Sequence, residues 1–218
     1  MKRLQFKWQI GLFLSFVVLI TIACKEDIVK EEIVVHEIFD VKGDDNTKKP
    51  TVLRFKVAQI FVDEMMTQQS FYHVDNTLKS YELIKKDGNK GMTNYYSADS
   101  VLLAIYNLEF QGENIKKRTG YDGQTKELLR IEILDYNPEG ELIKKSIQNE
   151  TGILSSYFVM QYDADGNEVN TMRYNASDKV LDEENFVVEE KNERGEWTKR
   201  WGYKNGQPSS FHRRSFSN

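Results

Sequence analysis

A short turn that recurs between strand-like runs is the feature that most constrains how this chain can fold. Each copy begins with Asn or Asp and has Gly three residues later, as at 137–140, 163–166 and 192–195. The first side chain can accept backbone N–H groups, and Gly supplies the positive φ that closes a tight hairpin. The flanking residues alternate in polarity, as at 197–203. The second half is therefore predicted to be a series of antiparallel hairpins.

The first half carries the same β signals with less regular turns. Residues 51–62 alternate apolar and polar side chains, and the apolar run 101–110 is typical of a buried strand. Residues 63–69 are weaker and are interpreted as a helical turn. We predict an all-β fold, an antiparallel meander of stacked β-hairpins forming one elongated, twisted sheet.

The N-terminus has the pattern of a cleavable export signal. Three basic residues in the first seven precede an apolar run, 10–20, which is shorter than the roughly 20 residues of a spanning helix. The run ends in Thr-Ile-Ala-Cys at 21–24, and this segment resembles the lipobox of bacterial lipoproteins. The resemblance implies cleavage after residue 23 and diacylation of Cys24, so that acyl chains hold the protein on a membrane. The alternative is a transmembrane anchor with an incidental cysteine.

The three residues after the cysteine carry a second signal. Lys25, Glu26 and Asp27 resemble the lipoprotein export signal of the Bacteroidota, a lysine and two acids directly after the lipidated cysteine. This resemblance implies an outer-membrane lipoprotein that faces the cell exterior. Retention on the periplasmic face is the alternative.

The predicted domain boundaries follow from these segments. Residues 1–23 are the signal peptide, and 24–50 are a lipidated, charged tether in which 33–39 could be a first strand. Residues 51–218 are the hairpin body, either as one unit or as subdomains 51–119 and 120–218.

The second half resembles a known class of repeats. The segments 162–167 (YDADGN) and 192–208 (NERGEWTKRWGYKNGQP) look like the YD/RHS-type hairpin repeats of exported Bacteroidota proteins. The resemblance covers roughly residues 120–218 and implies an array of β-hairpins. Turn spacing varies along the chain, so the repeat is degenerate.

Composition and motifs argue against several functions. Without the signal the formal net charge is about −7, a poor match for nucleic acid, which requires clustered Lys and Arg. The three histidines occur in no metal-binding motif, and we find no nucleophile elbow or phosphate loop. Residues 163–168 superficially resemble a calcium loop, but their glycine is fourth rather than sixth. We predict no catalytic residues, metal or cofactor.

Aromatic residues near the C-terminus form the one candidate binding platform. It comprises Trp197, Trp201 and Tyr203, with Arg200 nearby. Aromatic rings on one sheet face can stack on sugar rings, and Arg can bind hydroxyls or carboxylates. The alternative is that these rings belong to the core.

These observations favour a non-enzymatic surface lipoprotein that acts as a binding or interaction module. Its partner would be a glycan, an envelope protein or a host molecule. An immunity or antitoxin-type protein is the alternative, suggested by the repeat resemblance and distinguished by a neighbouring toxin gene. A hydrolytic enzyme is disfavoured by the missing motifs.

Overall fold

The computed structural model describes residues 31–63 and 65–217, and this part of the chain consists of strands and turns without a helix. The predicted signal peptide and the positions Cys24, Lys25, Glu26 and Asp27 lie outside the described residues. The strands are β1 (Glu31–Lys42), β2 (Lys49–Val62), β3 (Met65–Tyr72), β4 (Leu78–Asp87), β5 (Lys90–Ser97), β6 (Leu102–Gln111), β7 (Asn114–Asp122), β8 (Leu128–Tyr136), β9 (Leu142–Gln148), β10 (Leu154–Tyr162), β11 (Glu168–Asn175), β12 (Val180–Lys191), β13 (Trp197–Lys204) and β14 (Gln207–Ser217).

The strands form a closed antiparallel barrel in which each strand pairs with its neighbours in the sequence. The first and last strands close it, with Ile33 opposite Ser217 and Asp40 opposite Ser210. The predicted all-β meander of hairpins is confirmed, but the predicted elongated open sheet is wrong. Closure satisfies the backbone groups that an open sheet would leave unpaired along its two edges.

Two segments differ from their predicted structures. Strand β1 contains the first strand predicted at 33–39, but it and the first residues of β2 belong to the barrel, although they lie within 24–50, the range assigned to the tether. Residues 65–69 belong to strand β3, not to a helical turn. Pairing with β2 and β4 places them in the sheet despite their weak local pattern.

The recurrent turns have the predicted geometry. In the β12–β13 turn, the Asn192 side chain accepts the backbone N–H groups of Arg194 and Glu196, both at 3.0 Å. Gly195 has a φ of 80°. An Asn or Asp side chain accepts turn N–H groups in the same way at Asn137, Asn149, Asp163 and Asn175. Local hydrogen bonding thus sets the hairpins, as the sequence indicated.

The hairpin order gives the barrel two different ends. We call the end where β1 begins and β14 finishes the entry rim, and it also carries the β2–β3, β4–β5, β6–β7, β8–β9, β10–β11 and β12–β13 turns. The opposite end, the far rim, carries the remaining turns.

Successive side chains point alternately to the inner and outer faces of the barrel. A buried apolar cluster lies along the inner face of β6, at Ala104, Tyr106, Leu108 and Phe110. Ile84, Tyr95 and Ile115, on neighbouring strands, pack against it. Other inward side chains are accessible: Arg130 is 46% exposed and Phe55 is 36% exposed. The apolar core therefore lines part of the wall, while solvent reaches other parts of the inner face.

Within residues 31–63 and 65–217, no helix is long and apolar enough to cross a membrane.

Candidate functional site

The four residues of the predicted platform are divided between the two faces of the barrel. Trp201 contacts Phe211, whereas Trp197 contacts the next residue along β14, His212. Adjacent strand residues point to opposite faces, so the two tryptophans do too. A register shift between β12 and β13 beside Trp197 explains the difference, because an extra residue reverses the alternation. Trp197 and Arg200 are inward, and Trp201 and Tyr203 are outward.

The outward pair packs beneath the β1–β2 turn. The rings of Trp201 and Phe211 have centroids 4.7 Å apart, and Lys48 Nζ lies 4.8 Å from the Trp201 ring. The same ammonium donates to the Tyr203 hydroxyl at 2.6 Å, and that hydroxyl donates to Asp45 at 2.8 Å. These contacts hold the turn against the barrel wall and cover the Trp201 ring.

The inward pair surrounds a buried guanidinium. The Arg200 guanidinium carbon lies 3.9 Å from the Phe186 ring and 4.4 Å from the Trp197 ring. Its Nη1 donates to Glu168 at 3.1 Å, and its Nε has no hydrogen-bond partner among the described residues. Cation–π contacts and one carboxylate thus stabilise this buried charge.

Beside Arg200, hydrogen bonds link four side chains from three strands. Ser210 donates to Glu184 at 2.5 Å and is bonded to His212 Nε2 at 2.8 Å. His212 Nδ1 lies 3.2 Å from His36 Nε2. Burial, followed by the charge of Arg200, lowers the pKa of His36 to about 4 and that of His212 to about 2. Both rings are therefore neutral near pH 7.

This chain of bonds differs from a catalytic triad in its order. In a triad the acid binds the histidine and orients it, but here Glu184 binds the serine. Ser210 is also only 2% exposed, so its hydroxyl is not open to a substrate. The arrangement is suited to fixing β1, β12 and β14 together.

A second inward cluster is centred on Glu132, which is 1% exposed. Its carboxylate lies 2.7 Å from Arg130, 3.2 Å from Lys145 and 3.8 Å from Arg118. Burial alone would raise the pKa of Glu132, but these three cations hold it below its usual value. Glu82 lies 3.8 Å from Arg118, and burial raises the pKa of Glu82.

The cations of this cluster continue along the inner wall to Arg173. Lys145 pairs directly with Phe158 on β10, and Phe158 pairs with Arg173 on β11. Arg173 is exposed and lies 5.6 Å from the Phe158 ring. We call Arg118, Arg130, Lys145 and Arg173 the inner cationic strip. Within the described part of the chain, Arg173 makes no salt bridge, and Asp182, opposite it on β12, is paired with Lys204 at 2.6 Å.

No sequence motif pointed to the inner cationic strip as a functional candidate. A pattern for it is visible in the sequence, because Arg130 and Glu132 occupy alternate positions of a strand that is otherwise rich in Leu and Ile. Charges at such positions indicate an inward face that is not purely apolar. No group of three or more His, Cys, Asp and Glu side chains placed to hold a metal ion occurs in the described ranges.

Comparisons with known proteins give only distant structural likenesses. No family description and no curated protein sequence matches this chain. A porin-like protein from Bacteroides uniformis aligns over 85% of this chain and 96% of its own, with 10% identity and a TM-score of 0.46. A DUF1329 family protein from Desulfovibrio piger aligns over 88% and 85%, with 12% identity and a TM-score of 0.26.

The Photorhabdus luminescens Tc holotoxin pore is a third similar structure. It aligns over 72% of this chain but only 9% of its own, with 13% identity and a TM-score of 0.31. At these scores the likenesses carry no conclusion about what this protein does.

Proposed function

We propose that this protein is a lipid-anchored, non-catalytic binding protein of the bacterial envelope, and that its ligand contacts the inner face of the barrel. The observation that carries the proposal is the accessible inner wall, where charged and aromatic side chains such as Arg130 and Phe55 reach solvent. Small barrels fill their interior with side chains, whereas larger ones can enclose a ligand cavity or a channel.

The inner-face chemistry supports binding rather than catalysis. The buried Ser210 hydroxyl is held by Glu184, and the neutral pair of His36 and His212 is covered by aromatic rings. A nucleophile needs an approach path and a base that is oriented by a third group. The inner cationic strip, by contrast, is accessible and carries fixed charge. Both properties are expected of a wall that binds a ligand.

The anchor in this proposal is Cys24, lipidated as its lipobox resemblance implies. Six residues separate Cys24 from Glu31, and a fully extended chain of that length spans about 24 Å at most. The entry rim would thus stay close to the membrane. Outward display through Lys25, Glu26 and Asp27 is part of the proposal.

The outer face supports acyl anchoring over insertion of the strands into a bilayer. Lys117 and Lys199 project outward and pair with Glu109 and Glu190, and Lys144 also projects outward. Barrels that span membranes present an apolar band there, and Lys at mid-depth costs them about 2–4 kcal/mol each.

The hairpin order and recurrent turns support the YD/RHS-like repeat as the source of the barrel wall.

Two measurements test the proposal. In protease shaving of intact cells, the wild-type protein should be cleaved, and a variant with Lys25, Glu26 and Asp27 changed to Ala should be protected. Protection of both would contradict outward display and direct the search for a ligand to the periplasm.

The second measurement addresses binding. Native mass spectrometry of the protein purified from its own cells should show a bound small molecule. The adduct should be lost in Arg173→Gln and retained in Lys144→Gln, its matched control on the outer face. An adduct lost equally in both variants would refute an inner-face binding function, and so would a protein that carries no adduct and binds no added ligand.

A further inference from the structure

The inner cationic strip has more positive than negative charge. Three of its four cations face two carboxylates, Glu82 and Glu132, and Glu132 is shared by all three. Arg173, the fourth cation, makes no ion pair in the described residues, because Asp182, opposite it on β12, is paired with Lys204 at 2.6 Å. The sequence as a whole is acidic, so this local surplus runs against the composition. Such a surplus on an accessible wall favours an anionic ligand.

Apolar side chains lie directly beside these cations on the same face. Phe158 stands between Lys145 and Arg173, and Leu134 is opposite Lys145. Ile147 is opposite Glu132. All three apolar side chains are only partly buried. An anion alone would use the cations and leave this surface in water, whereas a ligand with a hydrocarbon portion would cover it.

We propose that the inner cationic strip binds the carboxylate of a single-chain amphiphile, a fatty-acid-type ligand. The carboxylate accepts hydrogen bonds from Arg173 and Lys145, and the hydrocarbon chain lies along Phe158, Leu134 and Ile147. The proposal rests on the proposed inner-face binding function and names its ligand class.

Arg173 is the informative position to change. In the described residues it makes no salt bridge and lies over the Phe158 ring, so Arg173→Gln leaves the Glu132 ion pairs intact. Lys145→Gln is a second variant, because it removes a cation on the neighbouring strand. Lys144→Gln is the matched control, since Lys144 precedes Lys145 on β9 and projects to the outer face, over the Tyr157 ring.

The experiment is isothermal titration calorimetry on the mature chain carrying Cys24→Ser, so that no attached acyl chain competes. Dodecanoate below its micelle threshold is the test ligand, inorganic phosphate and acetate are head-group probes, and octyl glucoside is a neutral amphiphile. We expect dodecanoate to bind at one site. Arg173→Gln and Lys145→Gln should each raise its Kd about tenfold, the loss of one charge-assisted hydrogen bond, and Lys144→Gln should leave it unchanged.

Each contrary outcome overturns a defined part of the proposal. If phosphate binds as tightly as dodecanoate, the site recognises an anion and the hydrocarbon portion is wrong. If octyl glucoside binds as tightly as dodecanoate, the cations of the inner cationic strip do not select the ligand. If dodecanoate does not bind but the purified protein carries another adduct that is lost in Arg173→Gln, the amphiphile is wrong and the binding function stands. If neither is observed, both proposals fail.

Discussion

The buried histidine pair predicts a steep loss of stability in mild acid. His36 and His212 lie 3.2 Å apart through ring nitrogens, under the aromatic side chains of Trp197 and Phe186. Burial and the charge of Arg200 lower the pKa of these histidines to about 4 and about 2, against 6.5 for free histidine. In the folded protein both rings therefore remain neutral at pH values where an unfolded chain would protonate them.

The sign and size of the effect follow from proton linkage. Below pH 6.5 the unfolded state binds protons that the folded state excludes, so the free energy of unfolding falls as the pH falls. The stability that the neutral histidines contribute is fully present above pH 6.5. It is lost progressively as the pH falls toward their folded-state pKa values. Well below pH 6.5 each histidine costs about 1.4 kcal/mol per pH unit. Because the unfolded imidazole is only half protonated at pH 6.5, the cost between pH 6.5 and 5 is about 1.6 kcal/mol. The pair together costs about 3 kcal/mol, a large part of the stability of a typical domain.

Urea unfolding followed by tryptophan fluorescence, at several pH values from 7.5 to 5, measures this slope. The double variant His36→Asn with His212→Asn should lose stability at neutral pH but show a much flatter dependence between pH 6.5 and 5. His73→Asn, in the exposed β3–β4 turn, controls for removal of a histidine outside the pair. If the wild type and the double variant lose stability in parallel over this range, the reasoning is wrong.

Further predictions concern the turns and the Glu132 cluster, and equilibrium unfolding at pH 7.5 tests each. Gly195→Ala should cost about 1 kcal/mol, because φ is 80° and an added Cβ meets nothing within 4 Å. Gly202→Ala should cost clearly more, because its Cβ would collide with Ser210 and Glu184; equal costs would contradict this packing. Glu132→Gln should destabilise by about 3 kcal/mol, because three cations lose their buried counter-charge, and a neutral result would show that the cluster is solvated.

Local features of the fold could be predicted from the sequence, because short-range chemistry determines them. The Asn192 turn, its glycine and the strand at 102–111 all depend on neighbouring residues. Closure could not be predicted in this way, because it joins residues almost the whole chain apart. Alternating strands allow either an open sheet or a barrel, and only the edge pairing distinguishes them.

The candidate site was less accessible to prediction. A register shift beside Trp197 places it on the face opposite Trp201, and sequence alternation alone gives no sign of this shift. His36 and His212 are 176 positions apart, and the barrel brings them into contact. The inner cationic strip was within reach of prediction, because its charges lie at alternating positions of apolar strands.

Closure of the barrel by β1 and β14 is the central claim, because an inner face exists only if these strands pair. The direct test is a disulfide between Val35→Cys and Ser215→Cys, which are opposite each other in register, in the mature chain with Cys24→Ser. The control pairs Val35→Cys with Phe211→Cys, about 13 Å further along the strand. We predict that mild oxidation of dilute protein gives an intrachain bond in the first variant and not in the control. In an open sheet the two edge strands would lie about 60 Å apart, too far for a disulfide. Absence of the intrachain disulfide, or its equal formation in both variants, would contradict the closed barrel.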